Sequence, residues 1–315
     1  MIKDRFGRPV LNLRISVTQR CNLHCPYCHR EGQDRESSDS VVEMTAQEII
    51  RLSRIAISLD IARIKLTGGE PLLRKDILEI VGGIAGLPGL RDLSLTTNGT
   101  LLQPLAKDLR KRGLMRVNVS LPTLKDEVYD RLMGRDLKDA LRGVKAAVKA
   151  ELNPVKLNML VLARVNEDEI PAMMQFAQNS GTLLQLIELE PVNISETYYK
   201  RHHYPLESVE AELAKRALQV DVRQYMQNRR VYHLPGGRVE IIRPIENTEF
   251  CSHCTRLRVT SDGKLKPCLM VNTNLKDALT PLRNGATNEQ LAELFAATCR
   301  EREPYYKAPA YQTAE

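Results

Sequence analysis

The chain contains 315 residues, of which 43% are hydrophobic and 27% are charged, and its formal net charge is +7. This composition is ordinary for a globular protein and excludes disorder over the whole chain. Seven cysteines exclude a fully paired disulfide framework. With no tryptophan and only 4% aromatic residues, a broad stacking platform for single-stranded nucleic acid is not expected.

Targeting and membrane signals are not found in the sequence. The charged start, Met1–Arg5, leads into no apolar signal segment. The longest apolar stretch, near 157–163, is far below the ~20 residues that span a bilayer. We therefore expect a cytoplasmic protein with reduced thiols, a small-molecule substrate, and neither a membrane nor a nucleic acid as partner.

Strand-like and helix-like segments alternate through the first two-thirds of the chain. The predicted strands are Leu11–Val17, Arg63–Thr67, Asp92–Thr96, Arg116–Ser120, Val155–Ala163 and Leu183–Leu189. The predicted helices are Thr45–Leu59, Asp76–Ala85, Leu101–Lys111, Asp136–Ala150 and Glu169–Asn179. Thr45 and Glu48 form a capping-box pattern at the first helix. The alternation predicts an α/β fold with a parallel sheet of six βα units, either open or closed partway into a barrel.

Beyond the sixth strand the pattern changes. Polar loops are predicted at Arg30–Glu43 and Glu190–Pro205, and the second marks a boundary between domains at 1–205 and 206–315. After it we predict a helix at Leu206–Leu218 and four short strands. These strands are Arg230–Leu234, Arg238–Arg243, Leu257–Thr260 and Lys264–Leu269.

A first cysteine cluster, with the spacing C-x3-C-x2-C, comprises Cys21, Cys25 and Cys28 and follows the first strand. Ligands bind at the carboxyl ends of strands in βα architectures. One reading is a structural zinc site with His24 or His29 as fourth ligand. The other is a [4Fe–4S] cluster whose fourth iron lacks a protein ligand and can do chemistry.

The cluster, with Tyr27 before its last cysteine, resembles the signature of the radical S-adenosylmethionine (SAM) superfamily. In that family the open iron binds the methionine part of SAM, and reductive cleavage releases a 5′-deoxyadenosyl radical. A second motif, Gly68-Gly69-Glu70-Pro71 after the second strand, is similar to the segment that holds the methionine amino group there. By itself it could be a plain βα turn whose glycines permit close backbone approach.

A second cluster comprises Cys251, Cys254 and Cys268, which leaves Cys299 unassigned. A zinc ribbon with His253 is one reading. Arg256 and Arg258 alternate on the short strand between these cysteines, so both face one side. Two guanidinium groups beside a metal site suit a polyphosphate, although a solvated strand face gives the same pattern.

The two clusters together resemble the GTP 3′,8-cyclases of molybdenum-cofactor biosynthesis, with a likeness that runs nearly end to end. The resemblance implies a lyase with a partial (β/α)6 TIM-like barrel and a C-terminal extension that carries a second [4Fe–4S] cluster. The implied cluster ligands are Cys21, Cys25, Cys28, Cys251, Cys254 and Cys268. The implied SAM-binding residues are Tyr27, Gly68, Gly69, Glu70, Ser120 and Glu190. The implied GTP-binding residues are Arg14, Lys65, Thr96, Lys156, Arg256, Leu257 and Arg258.

The implied reaction abstracts the 3′ hydrogen of the GTP ribose and joins C3′ to C8 of guanine. Reduction and protonation then give 3′,8-cyclo-7,8-dihydro-GTP, and no catalytic side chain is implied beyond the clusters and SAM. The implied partners, besides GTP, are a flavodoxin- or ferredoxin-type electron donor, the downstream cyclic pyranopterin monophosphate synthase and a second copy in a homodimer.

Two lysines support an anionic substrate on physical grounds. Lys65 and Lys156 lie on predicted strands, where a buried lysine without an anionic partner is costly. We therefore expect an anion between the two clusters, which agrees with the net charge of +7.

Three positions depart from the family pattern. Glu190 stands where methionine is usual, and Lys65 replaces the common arginine, which loses the bidentate fork but keeps the charge. The chain ends in 308–315 without the usual Gly-Gly tail. Two other functions stay open: a radical SAM enzyme that modifies a peptide or an RNA, and a zinc-binding nucleic-acid module that is not an enzyme.

Overall fold

The computed structural model describes residues 1–33 and 42–307. Most of the predicted polar loop at 30–43 and the whole tail from 308 onward lie outside these residues. In the described ranges, no helix is long and apolar enough to cross a bilayer.

Six parallel strands form the centre of the molecule, as the sequence predicts. They are β1 (Asn12–Ser16), β2 (Arg63–Thr67), β3 (Asp92–Thr97), β4 (Arg116–Ser120), β5 (Val155–Leu160) and β6 (Leu183–Ile187). Each strand pairs in parallel with the next in sequence. β5 and β6 end three and two residues earlier than predicted, because the chain turns into the loops at the carboxyl edge.

Helices separate these strands in the order that the amphipathic patterns predict. They are α1 (Ala46–Ser58), α2 (Ile77–Ala85), α3 (Leu102–Lys111), α4 (Asp126–Met133), α5 (Leu137–Lys149) and α6 (Ile170–Asn179). The Thr45–Glu48 capping box is confirmed, with both reciprocal hydrogen bonds present. The sequence analysis missed α4, a two-turn helix whose buried residues are Tyr129, Leu132 and Met133.

The C-terminal third adds further elements. Its helices are α7 (Glu196–His202), α8 (Glu207–Arg216), α9 (Thr248–Ser252), α10 (Leu279–Arg283) and α11 (Asn288–Arg300). Its strands are β7 (Gln219–Arg223), β8 (Arg229–Leu234), β9 (Gly237–Ile242), β10 (Arg256–Val259), β11 (Lys264–Lys266) and β12 (Lys276–Asp277). The helix predicted at Leu206–Leu218 is shorter, because the largely exposed strand β7 begins at Gln219.

All twelve strands of the described residues form one sheet, in the order β12-β11-β10-β1-β2-β3-β4-β5-β6-β9-β8-β7. β10 pairs in parallel with β1, and β9 pairs in parallel with β6. The extension therefore lengthens both edges of the six-stranded sheet, which stays a partial barrel. Because the sheet is continuous across 205, the extension and the barrel share a core, and the division at 205 stays a prediction.

The join between extension and barrel is apolar. Leu257 of β10 lies opposite Leu13 of β1, and both side chains are fully buried in the main core. Leu13 also lies opposite Ile64 of β2, so one apolar row crosses the join.

We expect Leu257→Ala to lower the free energy of unfolding by about 2–5 kcal/mol, because it leaves a cavity where the extension meets the barrel. Leu218→Ala, at a side chain that is 76% exposed, is the matched control and should change it by less than about 0.5 kcal/mol. Anaerobic urea denaturation measures both. Equal effects would show that β10 does not depend on this packing.

Candidate active site

The first three thiols meet in the loop after β1. Cys21, Cys25 and Cys28 are all half-buried thiols. Burial, together with the neighbouring thiols of Cys28 and Cys21, raises the pKa of Cys25 to about 12. Burial also raises the pKa of Cys21. A positively charged metal group would relieve this cost, since thiolates are the ligating form of cysteine.

The segment after β2 packs directly against this cysteine loop. The Gly69 amide donates to the Thr18 carbonyl at 2.8 Å, and the Glu70 amide donates to the Arg20 carbonyl at 2.8 Å. A Cβ atom on Gly69 would lie 2.6 Å from the Gln19 carbonyl oxygen and would collide with that of Arg20. The close approach that requires glycine here is therefore to the backbone of the cysteine loop.

Glu70 lies behind the cavity wall. Its fully buried carboxylate accepts hydrogen bonds from the Thr97 hydroxyl (2.7 Å), the Asn98 amide (2.7 Å) and the Leu72 amide (3.0 Å). Burial raises its pKa to about 7. These bonds join the ends of β2 and β3, so we interpret Glu70 as a positioning residue for Gly68 and Gly69.

A cavity of about 280 Å³ opens at the carboxyl ends of the parallel strands. Most residues that the sequence analysis singled out line it: Arg14, Cys21, Cys25, Tyr27, Cys28, Lys65, Gly68, Gly69, Thr96, Ser120, Lys156, Glu190, Arg256 and Arg258. Leu257 is an exception, because its side chain is buried in the core. A contact between Leu257 and a substrate can therefore come only from its backbone.

The second three thiols line a smaller adjoining cavity of about 70 Å³. Cys251, Cys254 and Cys268 are free, and burial raises the pKa of Cys251 to about 11. The two cavities share a wall made of Glu190, Phe250, Arg256, Arg258 and Leu269. The fold therefore brings two thiol triads, 223 residues apart at their nearest members, to opposite sides of one wall.

Positive charge dominates the larger cavity. Ten basic side chains line it: Arg14, Arg30, Arg63, Lys65, Arg116, Lys156, Arg223, Arg229, Arg256 and Arg258. Four carboxylates of the described residues line it: Glu31, Asp92, Glu188 and Glu190. A fifth, Glu240, lies behind Lys156, so basic side chains outnumber carboxylates by ten to five. The cavity is electrostatically suited to a polyanion.

Glu240 neutralises the far side of the cavity. Its fully buried carboxylate pairs with Lys156 at 2.6 Å, Arg223 at 2.9 Å and Arg229 at 3.3 Å. These cations hold its pKa below the usual range even though burial acts in the opposite direction. Lys156 therefore has an anionic partner within the chain, and its burial alone does not require a bound anion. The signal that could have revealed this partner was the lone glutamate between Val239 and Ile241 of β9.

Glu31 has the same role near the first thiol triad. It accepts hydrogen bonds from Arg14 (3.3 Å), from Thr67 (3.0 Å) and from Arg258. It lies three residues after Cys28 and has a positive φ of 53°. Because its partners lie on β1, β2 and β10, Glu31 links the cysteine loop to the join between barrel and extension. The sequence analysis did not identify it.

Lys65 and Arg256 differ from the cations that pair with Glu31 and Glu240. Among the described residues, neither has a carboxylate within ion-pair distance, and Lys65 Nζ donates to Asn118 Oδ1 at 2.9 Å. Burial lowers the pKa of Lys65, and the charges of Arg116 and Arg14 lower it further. Burial and the charges of Arg14 and Arg229 lower the pKa of Arg256. A bound anion would relieve both effects, and an anion beside Lys65 stays a prediction.

Met133 is another residue that the sequence analysis missed. Its Sδ lies 3.3 Å from Cys25 Sγ and 3.1 Å from the Tyr27 hydroxyl, and it lines the larger cavity. It stands at the end of α4, the helix that was not predicted. Nothing in its local sequence distinguishes it from an ordinary core methionine.

Two family models match successive parts of the chain. A model of the radical SAM superfamily matches residues 15–177, and a model described as Molybdenum Cofactor Synthesis C matches residues 182–308. A protein of Thermococcus kodakarensis named probable GTP 3′,8-cyclase is 52% identical over 98% of this chain and 100% of its own length. A protein of the same name from Methanothermobacter thermautotrophicus is 45% identical over 97% and 99%.

Solved structures share the fold at low identity. Streptococcus suis SuiB bound to S-adenosylmethionine aligns with a TM-score of 0.64 and 18% identity, over 95% of this chain and 67% of that one. Native anSMEcpe with bound AdoMet aligns with a TM-score of 0.57 and 19% identity, over 82% and 74%. These likenesses concern the fold alone.

The βα fold, the three-thiol loop at its carboxyl edge and the matching model define a radical SAM protein. Within that superfamily, the chain belongs to the family of the GTP 3′,8-cyclases. The cofactors of this family are S-adenosylmethionine and two [4Fe–4S] clusters. The chain fits them, because it presents two thiol triads beside two cavities that share a wall. Within the described residues, no three His, Cys, Asp or Glu side chains are arranged to hold a single metal ion.

We expect Gly69→Ala to displace the cysteine loop, because a Cβ atom would collide with two of its carbonyl groups. The anaerobically reconstituted variant should then hold about half of the iron of the parent chain. Gly82→Ala is the control, since its Cβ would meet only the Arg112 side chain at 3.4 Å within a helix. Full iron content in Gly69→Ala would contradict this role.

We expect Glu240→Gln to lower the free energy of unfolding by about 3–5 kcal/mol, because it leaves three cations near a buried amide. Glu212→Gln, at a 59% exposed side chain with its nearest cation at 3.7 Å, should have little effect. Anaerobic chemical denaturation compares them. Similar stability of the two variants would show that Glu240 is not required to neutralise these cations.

Proposed function

We propose that this protein is a radical SAM GTP 3′,8-cyclase, a lyase that converts GTP into 3′,8-cyclo-7,8-dihydro-GTP as the first step of molybdenum-cofactor biosynthesis. The observation that carries the proposal is one cationic cavity that joins two thiol triads through a shared wall. GTP has both a polyanionic tail and a base, and this cavity offers arginines for the first and a metal-binding face for the second. The names of the near relatives agree.

In this proposal the two triads hold the two [4Fe–4S] clusters: Cys21, Cys25 and Cys28 the first, and Cys251, Cys254 and Cys268 the second. SAM lies against the first, beside Tyr27, Gly68, Gly69 and Ser120, all of which line the cavity. Glu70 acts from behind these glycines through its buried hydrogen bonds. Glu190 stands in the shared wall and lines both the larger and the smaller cavity.

The triphosphate occupies the cationic wall. Arg14, Arg256 and Arg258 lie on neighbouring strands and present guanidinium forks suited to phosphate oxygens. Lys65 contributes an uncompensated charge, and Lys156 contributes a charge that it shares with Glu240. Thr96 and the backbone of Leu257 complete the proposed GTP contacts.

The chain's part in the reaction is positioning. When bound, the reduced first cluster supplies the electron that cleaves SAM and yields the 5′-deoxyadenosyl radical. The arginines fix the triphosphate, so that the ribose faces the first triad and the base faces the second. Holding reacting atoms in this order and away from water provides much of the rate. The product is an isomer of GTP, because the hydrogen lost from C3′ is replaced by one electron and one proton.

The deciding experiment is anaerobic incubation of the reconstituted chain with SAM, dithionite and GTP. We expect formation of 5′-deoxyadenosine together with consumption of GTP. With Cys25→Ala, which lacks a ligand of the first cluster, we expect neither. Chromatography with mass detection measures both. Deoxyadenosine formed while GTP stays unchanged would favour a peptide or RNA substrate, and zinc in place of iron would favour the non-enzyme reading.

Arg256→Ala tests whether the cationic wall binds the triphosphate of GTP. A hydrogen bond from a charged donor contributes about 1.5–3 kcal/mol to binding, so its loss should weaken GTP binding by about 10- to 150-fold. Cleavage of SAM without conversion of GTP should persist, because the first triad is untouched. Arg283→Ala, at an exposed arginine paired with Glu48, is the control. Unchanged GTP affinity in Arg256→Ala would contradict the assignment.

Four expectations extend this proposal beyond the chain itself. They are a cytoplasmic location, an electron donor of the flavodoxin or ferredoxin type, transfer of product to cyclic pyranopterin monophosphate synthase, and a homodimer. The chemistry supports the donor, because SAM cleavage and the last step each consume one electron. The other three stay predictions.

A further inference from the structure

A buried charge cluster joins the two ends of the described chain. It comprises Asp4 and Arg8 near the N-terminus and Arg302 after α11, whose side chains are 0%, 6% and 1% exposed. Arg8 Nε donates to Asp4 Oδ2 at 2.8 Å, and Arg302 Nη1 lies 3.3 Å from the same oxygen. Burial of three charges is costly, so this arrangement needs a compensating partner.

Both arginines reach the second thiol triad. Arg8 Nη1 donates to the backbone carbonyl of Cys251 at 2.7 Å, and Arg302 Nη2 donates to that of Cys254 at 2.5 Å. The two side chains also line the smaller cavity with these cysteines. Two guanidinium groups thus fix the cysteine loop from behind and carry their charge to the cavity wall. Of Arg302, Nε and Nη1 are buried with no hydrogen-bond partner among the described residues.

The charge cluster has a net charge of +1, since two arginines share one carboxylate. Both arginines contact the backbone of the second thiol triad and line its cavity, so this excess positive charge lies directly beside any group that the three thiols hold.

We propose that Asp4, Arg8 and Arg302 set the reduction potential of the iron–sulfur cluster held by the second thiol triad. The inference rests on the proposed function, because it takes these cysteines as cluster ligands. Reduction adds one electron from an external one-electron donor, such as dithionite, and makes the cluster more negative. Buried positive charge stabilises that reduced state, and net charge with hydrogen bonding is what tunes such potentials. All three are positioning residues, since they act through the cysteines.

The test is an anaerobic redox titration of the reconstituted full chain, followed by electron paramagnetic resonance. The first cluster in the same molecule is the internal reference. Arg302→Gln and Arg8→Gln each remove a positive charge and should shift the potential of the second cluster to more negative values. Asp4→Asn removes the negative charge and should shift it the opposite way. Arg300→Gln, two residues from Arg302 but 61% exposed, should leave it unchanged.

Opposite shifts in the Arg and Asp variants would support the proposal, since a purely structural clamp does not predict a change of sign. Arg302→Lys, which keeps the charge, should stay near the parent potential. Fully loaded variants with an unshifted second cluster would overturn the inference. So would loss of the second cluster in all three charge variants while Arg300→Gln retains it. If the parent chain itself holds about four irons rather than about eight, the proposed function fails at its second cluster instead.

Discussion

The parallel pairing of β10 with β1 is the constraint on which the site depends. It places Arg256 opposite Asn12 and Arg258 opposite Arg14, so that arginines from the two ends of the chain share one surface. The same pairing carries the second thiol triad to the wall of the cavity that the barrel builds. Without it the barrel would still present one thiol triad, but Arg256 and Arg258 would be missing from the cationic wall. The buried Leu13–Leu257 contact holds this join.

Charge balance explains why the wall is stable without being neutral. Two carboxylates, Glu31 and Glu240, each serve two or three cations and thereby keep the arginines and Lys156 ordered. A fully neutral wall would have no attraction for a triphosphate, and a wall with no carboxylates would cost too much to bury. The remaining excess at Lys65 and Arg256 is what a polyanion can compensate. The same set of charged side chains therefore affects both the stability of the fold and the affinity for the substrate.

Local features of the sequence predicted most of the fold. The six parallel strands, the helices between them and the capping box at Thr45 all follow from short-range patterns, and the structure confirms them. The two thiol triads were also visible, because their spacing is local. Partners distant in sequence were not: Glu31 meets Arg258, 227 residues away, and Glu240 meets Lys156, 84 residues away. The exposed strand β7 was not predicted, because it has no buried face to give an alternating apolar pattern.

Glu190 illustrates how such a contact changes the meaning of a residue. Taken alone, a carboxylate where the family has methionine suggests a hydrogen bond to the adenine or ribose of SAM. In the structure it stands in the wall between the cavities. Burial lowers the pKa of Arg14, and the charge of Glu190 partly opposes this; burial raises the pKa of Cys268, and the charge of Glu190 raises it further. A methionine at this position would remove one negative charge from the wall. Glu190 is therefore better understood as part of the charge balance between the triphosphate arginines and the second thiol triad than as a substitute packing residue.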